Sequence, residues 1–288
     1  MRCGTLQGPI AADTAPVGVG LPDLRVVASG ALRLHEDCDP ERVARLAQRL
    51  SADGVLRNPP IVAPLDATPG RTGEYVVLDG ANRVTAMQRA GLPHQAVQVI
   101  AYDDPSVVLD VWAHLLQRDG EIVRVFGAWT EASRADVHMG LSDGTLACGL
   151  VTARGAWGAR IGGTLGDRVN ALAAIVGTYK GKVPIYRVPS DDFDALAHEF
   201  GGAEALVLFP RLSKADIRAI ARLPVKLPTG ISRHVVPLRA LRVDVDLDML
   251  KGDDPVAAKQ TRLDALIRAR LLDRRVRHYP EATVLYDE

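Results

Sequence analysis

The sequence predicts an α+β protein, and three observations lead there. Up to about residue 120, short apolar runs of strand character alternate with capped amphipathic helices in the order β–α–β–β–α–β–α. One strand passes straight into a helix through a tight Asp-Gly turn, between Tyr75 and Gly91. The remainder mixes apolar strands with capped helices and has no internal repeat, so it reads as a mixed α/β lobe.

Residues 1–23 are rich in Gly, Pro, Ala and Thr without period and read as a flexible lead-in. Leu24 to Val27 forms the first expected strand, and Leu32 to Glu36 leads toward the next helix. Asp39-Pro40-Glu41 is a strong helix start, with an acidic cap, proline at the first position and an acid in the first turn. Val43, Leu46, Ala47 and Leu50 follow at helical spacing, and Gly54 ends the run. Asn58-Pro59-Pro60 is a turn, because each proline restricts the residue before it. Ile61 to Ala63 is a short strand, and Thr68 to Gly73 a loop. Tyr75 to Leu78 is a buried-type strand, Asp79-Gly80 a turn, and Ala81 to Ala90 a helix closed by Gly91. Ala96 to Tyr102 is another strand.

Asp104-Pro105 opens an expected helix with Val108, Val111, Trp112, Leu115 and Leu116 on its apolar side, ending near Asp119-Gly120. His114 on that helix is expected to face solvent. Helices are expected over Leu165 to Val176, from Ser190 to Phe200, from Ser213 to Arg222, and from Pro255 to Leu272 after an Asp254 cap. Strands are expected at Val183 to Val188, Ala205 to Phe209, Thr229 to Pro237, Leu241 to Val245 and Thr283 to Tyr286. The boundary between the two halves is placed near Asp103, giving domains at 24–103 and 104–288.

Composition bounds the function. The chain has 288 residues, 47% of them hydrophobic, enough to bury a substantial core. Lys plus Arg and Asp plus Glu are 35 each, and a neutral chain argues against a protein whose main task is gripping nucleic acid. The three cysteines, Cys3, Cys38 and Cys148, lack metal-like spacing, and a small odd number fits a reducing compartment. No signal peptide and no stretch approaching a membrane span is visible, so a soluble cytoplasmic protein is expected. Oligomeric state does not follow from the sequence.

The Tyr75–Gly91 stretch carries the chemistry. A strand–turn–helix junction points unpaired backbone N–H groups at one spot, and the helix dipole makes that spot attractive to anions. Arg83, in the first turn, is suited to fork onto a phosphate. Gly80 lets the backbone approach closely. Asp79 ends the strand as a candidate metal ligand, or as a helix cap.

Four ordered motifs now define a resemblance. Leu32 to Glu36, Pro40 to Val43, Gly54 to Pro59 and Asp79 to Arg83 resemble the ParB/sulfiredoxin-like fold and, within it, the free L-serine kinases. The likeness covers about residues 24–103. It continues more faintly to Lys226, Pro228, Ser232, Arg233 and His234, which match a K-x-P-x-x-x-(S/T)-R-H pattern. The resemblance implies an N-terminal ParB/sulfiredoxin-like nucleotide-binding domain, a C-terminal substrate lobe, and transfer of a nucleotide phosphate to L-serine. It implies Glu36 as general base and Mg²⁺ at Asp79, with ATP or ADP as the donor. Gly80, Ala81, Asn82 and Arg83 form the nucleotide loop. Asn58, Trp112, Lys226, Ser232, Arg233 and His234 are the candidate substrate contacts, Ser232 and His234 sharing one side of an extended segment.

One departure stands out. Several members read D-G-H-H-R where this chain reads Asp79-Gly80-Ala81-Asn82-Arg83, so both histidines are gone. Ala81 also lacks the thiol that sulfinic-acid reduction needs. Two other readings stay open: a kinase for a different hydroxylated metabolite, and a DNA-binding regulator that senses nucleotide. The arginines at 268, 270, 274, 275 and 277 are where DNA would bind in the latter, although no helix-turn-helix is evident.

Overall fold

A computed structural model describes residues 20–66, 73–117 and 129–279. The expected Thr68–Gly73 loop (except Gly73), the helix end near Asp119-Gly120, the strand at Thr283 to Tyr286 and nearly all of the lead-in lie outside the described residues.

The first sheet has five strands: β1 (Asp23–Ala28), β2 (Leu32–Leu34), β4 (Ile61–Pro64), β5 (Tyr75–Asp79) and β6 (His94–Val99), after the short β3 (Val55–Leu56) is set aside. Their order is β1-β6-β4-β5-β2. β2 and β5 run parallel with Leu34 opposite Val77, so the chain leaving β2 brings Glu36 to the level of Asp79. Helices α1 (Pro40–Asp53) and α2 (Ala81–Arg89) follow the carboxyl ends of these two strands. The Asp39 side chain caps α1 by accepting from the Glu41 and Arg42 amides, and Gly54 takes φ +67° at its end.

The expected helix from Asp104 is not formed. Val108–Val111 is strand β7 and Ala113–Leu116 is strand β8. All four β8 residues are buried, so both faces of the strand are covered. A short buried run carries no period that separates strand from helix, and in β7 the β-branched Val108 and Val111 favour the strand. β8 lies inside a six-stranded sheet ordered β12-β8-β13-β10-β11-β9. Its other members are β9 (Trp129–Ala132), β10 (Cys148–Thr152), β11 (Gly155–Ala159), β12 (Ile185–Val188) and β13 (Ala205–Leu208). Its helices are α3 (Arg134–Ser142), α4 (Leu165–Tyr179), α5 (Phe193–Phe200) and α6 (Lys214–Arg222). α5 begins at an Asp192 cap, with Ser190 instead accepting from the Asp192 amide. His114 is buried, not solvent-facing: it bonds the Tyr179 hydroxyl at 2.8 Å and the Gly230 carbonyl at 3.0 Å.

β14 (Ser232–Val235) pairs with β7, placing Ser232 opposite Val111. The expected strand from Leu241 shrinks to β15 (Val245–Asp246), which pairs with β3. Then come α7 (Leu247–Lys251) and α8 (Val256–Leu272); Pro255 precedes α8 and no side chain caps it. The expected strand Ala96 to Tyr102 is shifted, lying at His94–Val99.

One core spans both sheets, joining Leu65, Val76 and Leu78 to Leu116, Leu150 and Val207. A second joins Val26, Leu56 and Met87 to Val245, Leu250 and Leu263. The line drawn at Asp103 is therefore crossed twice, and the C-terminal segment returns to the first sheet. Among the described residues no helix is long and apolar enough to cross a membrane.

Candidate active site

The carboxyl ends of β2 and β5 open onto a cavity of about 1900 Å³. Parallel strands leave such a crevice because their following helices turn away from it. Glu36 stands at the end of β2, where it forms a parallel bridge with Leu227. This bridge brings the 227–232 segment alongside, and three donors converge on the Glu36 carboxylate. Oε1 accepts from the Ser232 amide at 2.6 Å and from its hydroxyl at 2.6 Å, and Oε2 accepts from the Gly230 amide at 3.0 Å. The carboxylate is thus fixed in place while still lining the cavity.

Behind it lies a buried histidine. His35 Nδ1 meets the Val77 carbonyl at 2.7 Å, and its Nε2 meets the Ser232 hydroxyl at 2.7 Å. Burial pushes the His35 pKa down. Ser232 therefore sits between Glu36 and His35. His234 follows on the same side, 5.4 Å from His35 between ring centroids, and its Nε2 meets the Tyr102 hydroxyl at 2.8 Å. Arg233 points the other way, over the Trp112 ring at 4.7 Å and toward Asp110 at 3.5 Å. The alternation expected of an extended segment is present.

On the β5 side, α2 starts at Gly80, with φ +90° and no side-chain cap. α1 and α3 to α6 all carry side-chain caps. The first-turn amides of α2 are left without that partner, facing a space that suits an anion. Asp79 does not cap the helix. It pairs with Arg239 at 3.1 Å and Arg83 at 3.5 Å. The Arg83 guanidinium folds over Gly80 so closely that a Cβ there would sit 2.8 Å from Nη2, and Nε of Arg83 is buried without a hydrogen bond. Asn82 Oδ1 accepts from the Asp39 amide at 3.0 Å, tying α2 to the start of α1. Asn58 Oδ1 accepts from the Arg242 amide at 2.9 Å, tying its turn to the segment that precedes β15.

The cavity gathers Glu36, Asn58, Asp79 to Arg83, Trp112 and Ser232 to His234. Lys226 is not among its walls. Its Nζ donates to the carbonyls of Ile220, Ala221 and Leu223, closing the end of α6. Cys38 meets the Thr85 hydroxyl at 2.9 Å, and burial raises its pKa. Three groups were not anticipated. Arg187 on β12 and Arg239 after β14 are single arginines outside any motif, and only the three-dimensional pairing brings them here. Strand alternation alone puts His35 and Glu36 on opposite sides, and their link through Ser232 depends on the long-range bridge to Leu227. Among the described residues, no three His, Cys, Asp or Glu side chains group as a metal site.

No family model matches the chain. It is similar to the ATP-dependent L-serine kinase SbnI of Staphylococcus aureus, 24% identical over 242 residues, covering 81% of this chain and 86% of the relative. It is also similar to the ATP-dependent L-serine kinase of Staphylothermus marinus, 33% identical over 78 residues, which is 27% of this chain and 29% of that relative. Among solved structures, C-terminally truncated SbnI from Staphylococcus aureus superposes with a TM-score of 0.68 at 20% identity, covering 86% of this chain and 96% of that one. A free serine kinase in complex with AMP gives 0.66 at 17% identity, covering 80% and 95%. At these identities the structural likeness is one of fold.

Proposed function

We infer that this chain is a free L-serine kinase, which transfers a phosphoryl group from a nucleotide to the serine hydroxyl and forms O-phospho-L-serine. The observation that carries this reading is the pairing of two features at adjacent strand ends. A carboxylate held by three donors, Glu36, stands level with a helix start whose amides lack a side-chain cap and which carries Arg83. Both named relatives are ATP-dependent L-serine kinases, so ATP is the donor in this reading.

Phosphoryl transfer asks the protein mainly for positioning and charge stabilisation. The α2 amides, with Gly80 allowing close approach, and the guanidiniums of Arg83 and Arg239 hold the nucleotide phosphates. Glu36 accepts the hydroxyl proton as the new P–O bond forms. Ser232 and His35 hold Glu36 in its rotamer, so the carboxylate is oriented before the acceptor arrives. Trp112 and Arg233, stacked on one another, line the same cavity. Asp79 is half-exposed at the same rim and fits Mg²⁺, which takes one or two carboxylates and otherwise phosphate and water oxygens. When bound, that ion neutralises charge on the transferring group. In this reading the first sheet with α1 and α2 is the ParB/sulfiredoxin-like nucleotide domain, and the second sheet is the substrate lobe.

The test is phosphorus NMR of the purified protein with Mg²⁺, L-serine and either ATP or ADP in separate tubes. A phosphoserine resonance in the ATP tube is expected. Nucleotide left intact in both tubes contradicts the reading.

A further inference from the structure

The Arg187 guanidinium has no role in the site described so far. Arg187 lies on β12, and its side chain crosses the 227–232 segment at Gly230. A Cβ at Gly230 would fall 2.0 Å from Arg187 Nε, so the absence of a side chain there is what admits the guanidinium. Gly230 itself takes φ +86°, a conformation glycine adopts readily. The Gly230 amide, in turn, donates to Glu36 Oε2 at 3.0 Å. A single glycine thus separates the carboxylate from this cation.

Arg187 is little used by the fold. Among the described residues its hydrogen bond is a long one, from Nη2 to the Thr229 carbonyl at 3.4 Å, and it forms no ion pair. The charge that acts on it most strongly is Glu36, followed by Arg42 and Asp39 at the start of α1. Arg187 also lines the same cavity as Glu36, Ser232 and Trp112. A guanidinium has five N–H donors in a fixed fork, matched to a carboxylate. Most of that capacity is open here.

Topology decides which end of the substrate it meets. β5 carries Asp79 and leads into the uncapped start of α2. β2 lies next to β5 at the sheet edge and leads to Glu36. The 227–232 segment lies beyond β2, bridged to Glu36, and Arg187 lies against that segment. Glu36 therefore stands between the phosphate loop and Arg187. An acceptor whose hydroxyl rests on Glu36 has the phosphoryl donor on one side and Arg187 on the other.

We propose that Arg187 is the receptor for the α-carboxylate of the amino-acid acceptor, across Gly230 from Glu36. It selects acceptors in which a hydroxyl and a carboxylate are separated by two carbon atoms, and it does not hold the transferring phosphate. This rests on the serine kinase reading for the identity of the acceptor.

The test compares L-serine with L-serinamide, which keeps the hydroxyl and ammonium and lacks the negative charge. Binding of each is measured by titration calorimetry with a non-hydrolysable ATP analogue present. A desolvated charge-assisted pair implies that the wild-type protein binds L-serine about ten- to hundred-fold more tightly than the amide. Arg187→Met should bind both with the affinity that the wild type shows for the amide, and Arg187→Lys should recover part of the preference. Affinity for the ATP analogue should be the same in all three. Arg187→Met keeping the wild-type preference for serine overturns the proposal, as does a selective loss of nucleotide affinity. Phosphoserine formation by the wild type is measured in parallel. Serine binding through Arg187 without phosphoserine leaves the carboxylate receptor standing and removes the kinase reading. A wild type that binds neither compound overturns both.

Discussion

Gly80 is the residue at which backbone and site chemistry meet. Its φ of +90° suits glycine, and the Arg83 guanidinium occupies the space a methyl would need. Gly80→Ala is expected to displace Arg83 and weaken ATP binding by at least about ten-fold, from the loss of a charge-assisted contact. Equilibrium dialysis with labelled nucleotide checks this, and unchanged affinity would show that Arg83 is not a phosphate ligand. Ser232 has a different duty. Its hydroxyl bonds both Glu36 and His35, so Ser232→Ala leaves Glu36 two donors and should lower kcat while leaving nucleotide affinity intact. An equal fall in nucleotide affinity would contradict that separation. At this scale the sequence was most legible where motifs are contiguous: Asp79 to Arg83 and Glu36 could be picked out from short patterns. Arg187, Arg239 and the His35–Ser232 contact could not, because each depends on residues more than forty positions apart meeting across different strands.

Among the elements, α1, α2, α4 and α6 were readable because caps and glycine stops mark their ends. The stretch from Asp104 was misread because Asp-Pro resembles a helix start and the apolar residues after it are spaced ambiguously. What decides is the neighbour: β8 fills a slot between β12 and β13, and β7 pairs with β14. Without that pairing, β14 would not present Ser232 to Glu36, so the error bore directly on the site. Lys226 is the corresponding error of role. It matches a motif position, yet its ammonium closes α6 through three carbonyls. Lys226→Met should therefore destabilise the fold by about 1–3 kcal/mol, the cost of leaving such acceptors unpaired. KM for serine should be little changed. Urea unfolding read beside steady-state kinetics checks this, and a large rise in KM at unchanged stability would return Lys226 to the binding site.

For the whole molecule, three buried histidines link the sheets through their ring nitrogens, and burial opposes their protonation. Burial depresses the pKa of His35 and His234, and that of His114 to about 4. In the unfolded chain they titrate near 6.5, so between about pH 6.5 and 4 the unfolded state binds more protons than the folded one. Stability is therefore fully present above pH 6.5 and falls as the pH drops through this window. The slope reaches roughly 1.4 kcal/mol per pH unit for each histidine that stays neutral in the folded state. Urea midpoints at pH 7.5, 6 and 5 should decline in that order, and a flat profile would mean that these rings take up protons in the folded protein as readily as in the unfolded one. The sheets share one core and the C-terminal segment packs on the first sheet, so unfolding is expected as a single cooperative transition. The sequence showed strands and helices in workable order. It did not show this closure, because nothing local in residues 243–263 marks their partner as the first sheet.

The most direct test of the account is Glu36→Gln, followed by ATP affinity and by the rate of phosphoserine formation. The amide keeps the size of the side chain and removes the base, so nucleotide affinity should stay within about two-fold while turnover falls by about 10²–10⁴. Turnover near that of the wild type would remove Glu36 from the reaction and contradict the central claim.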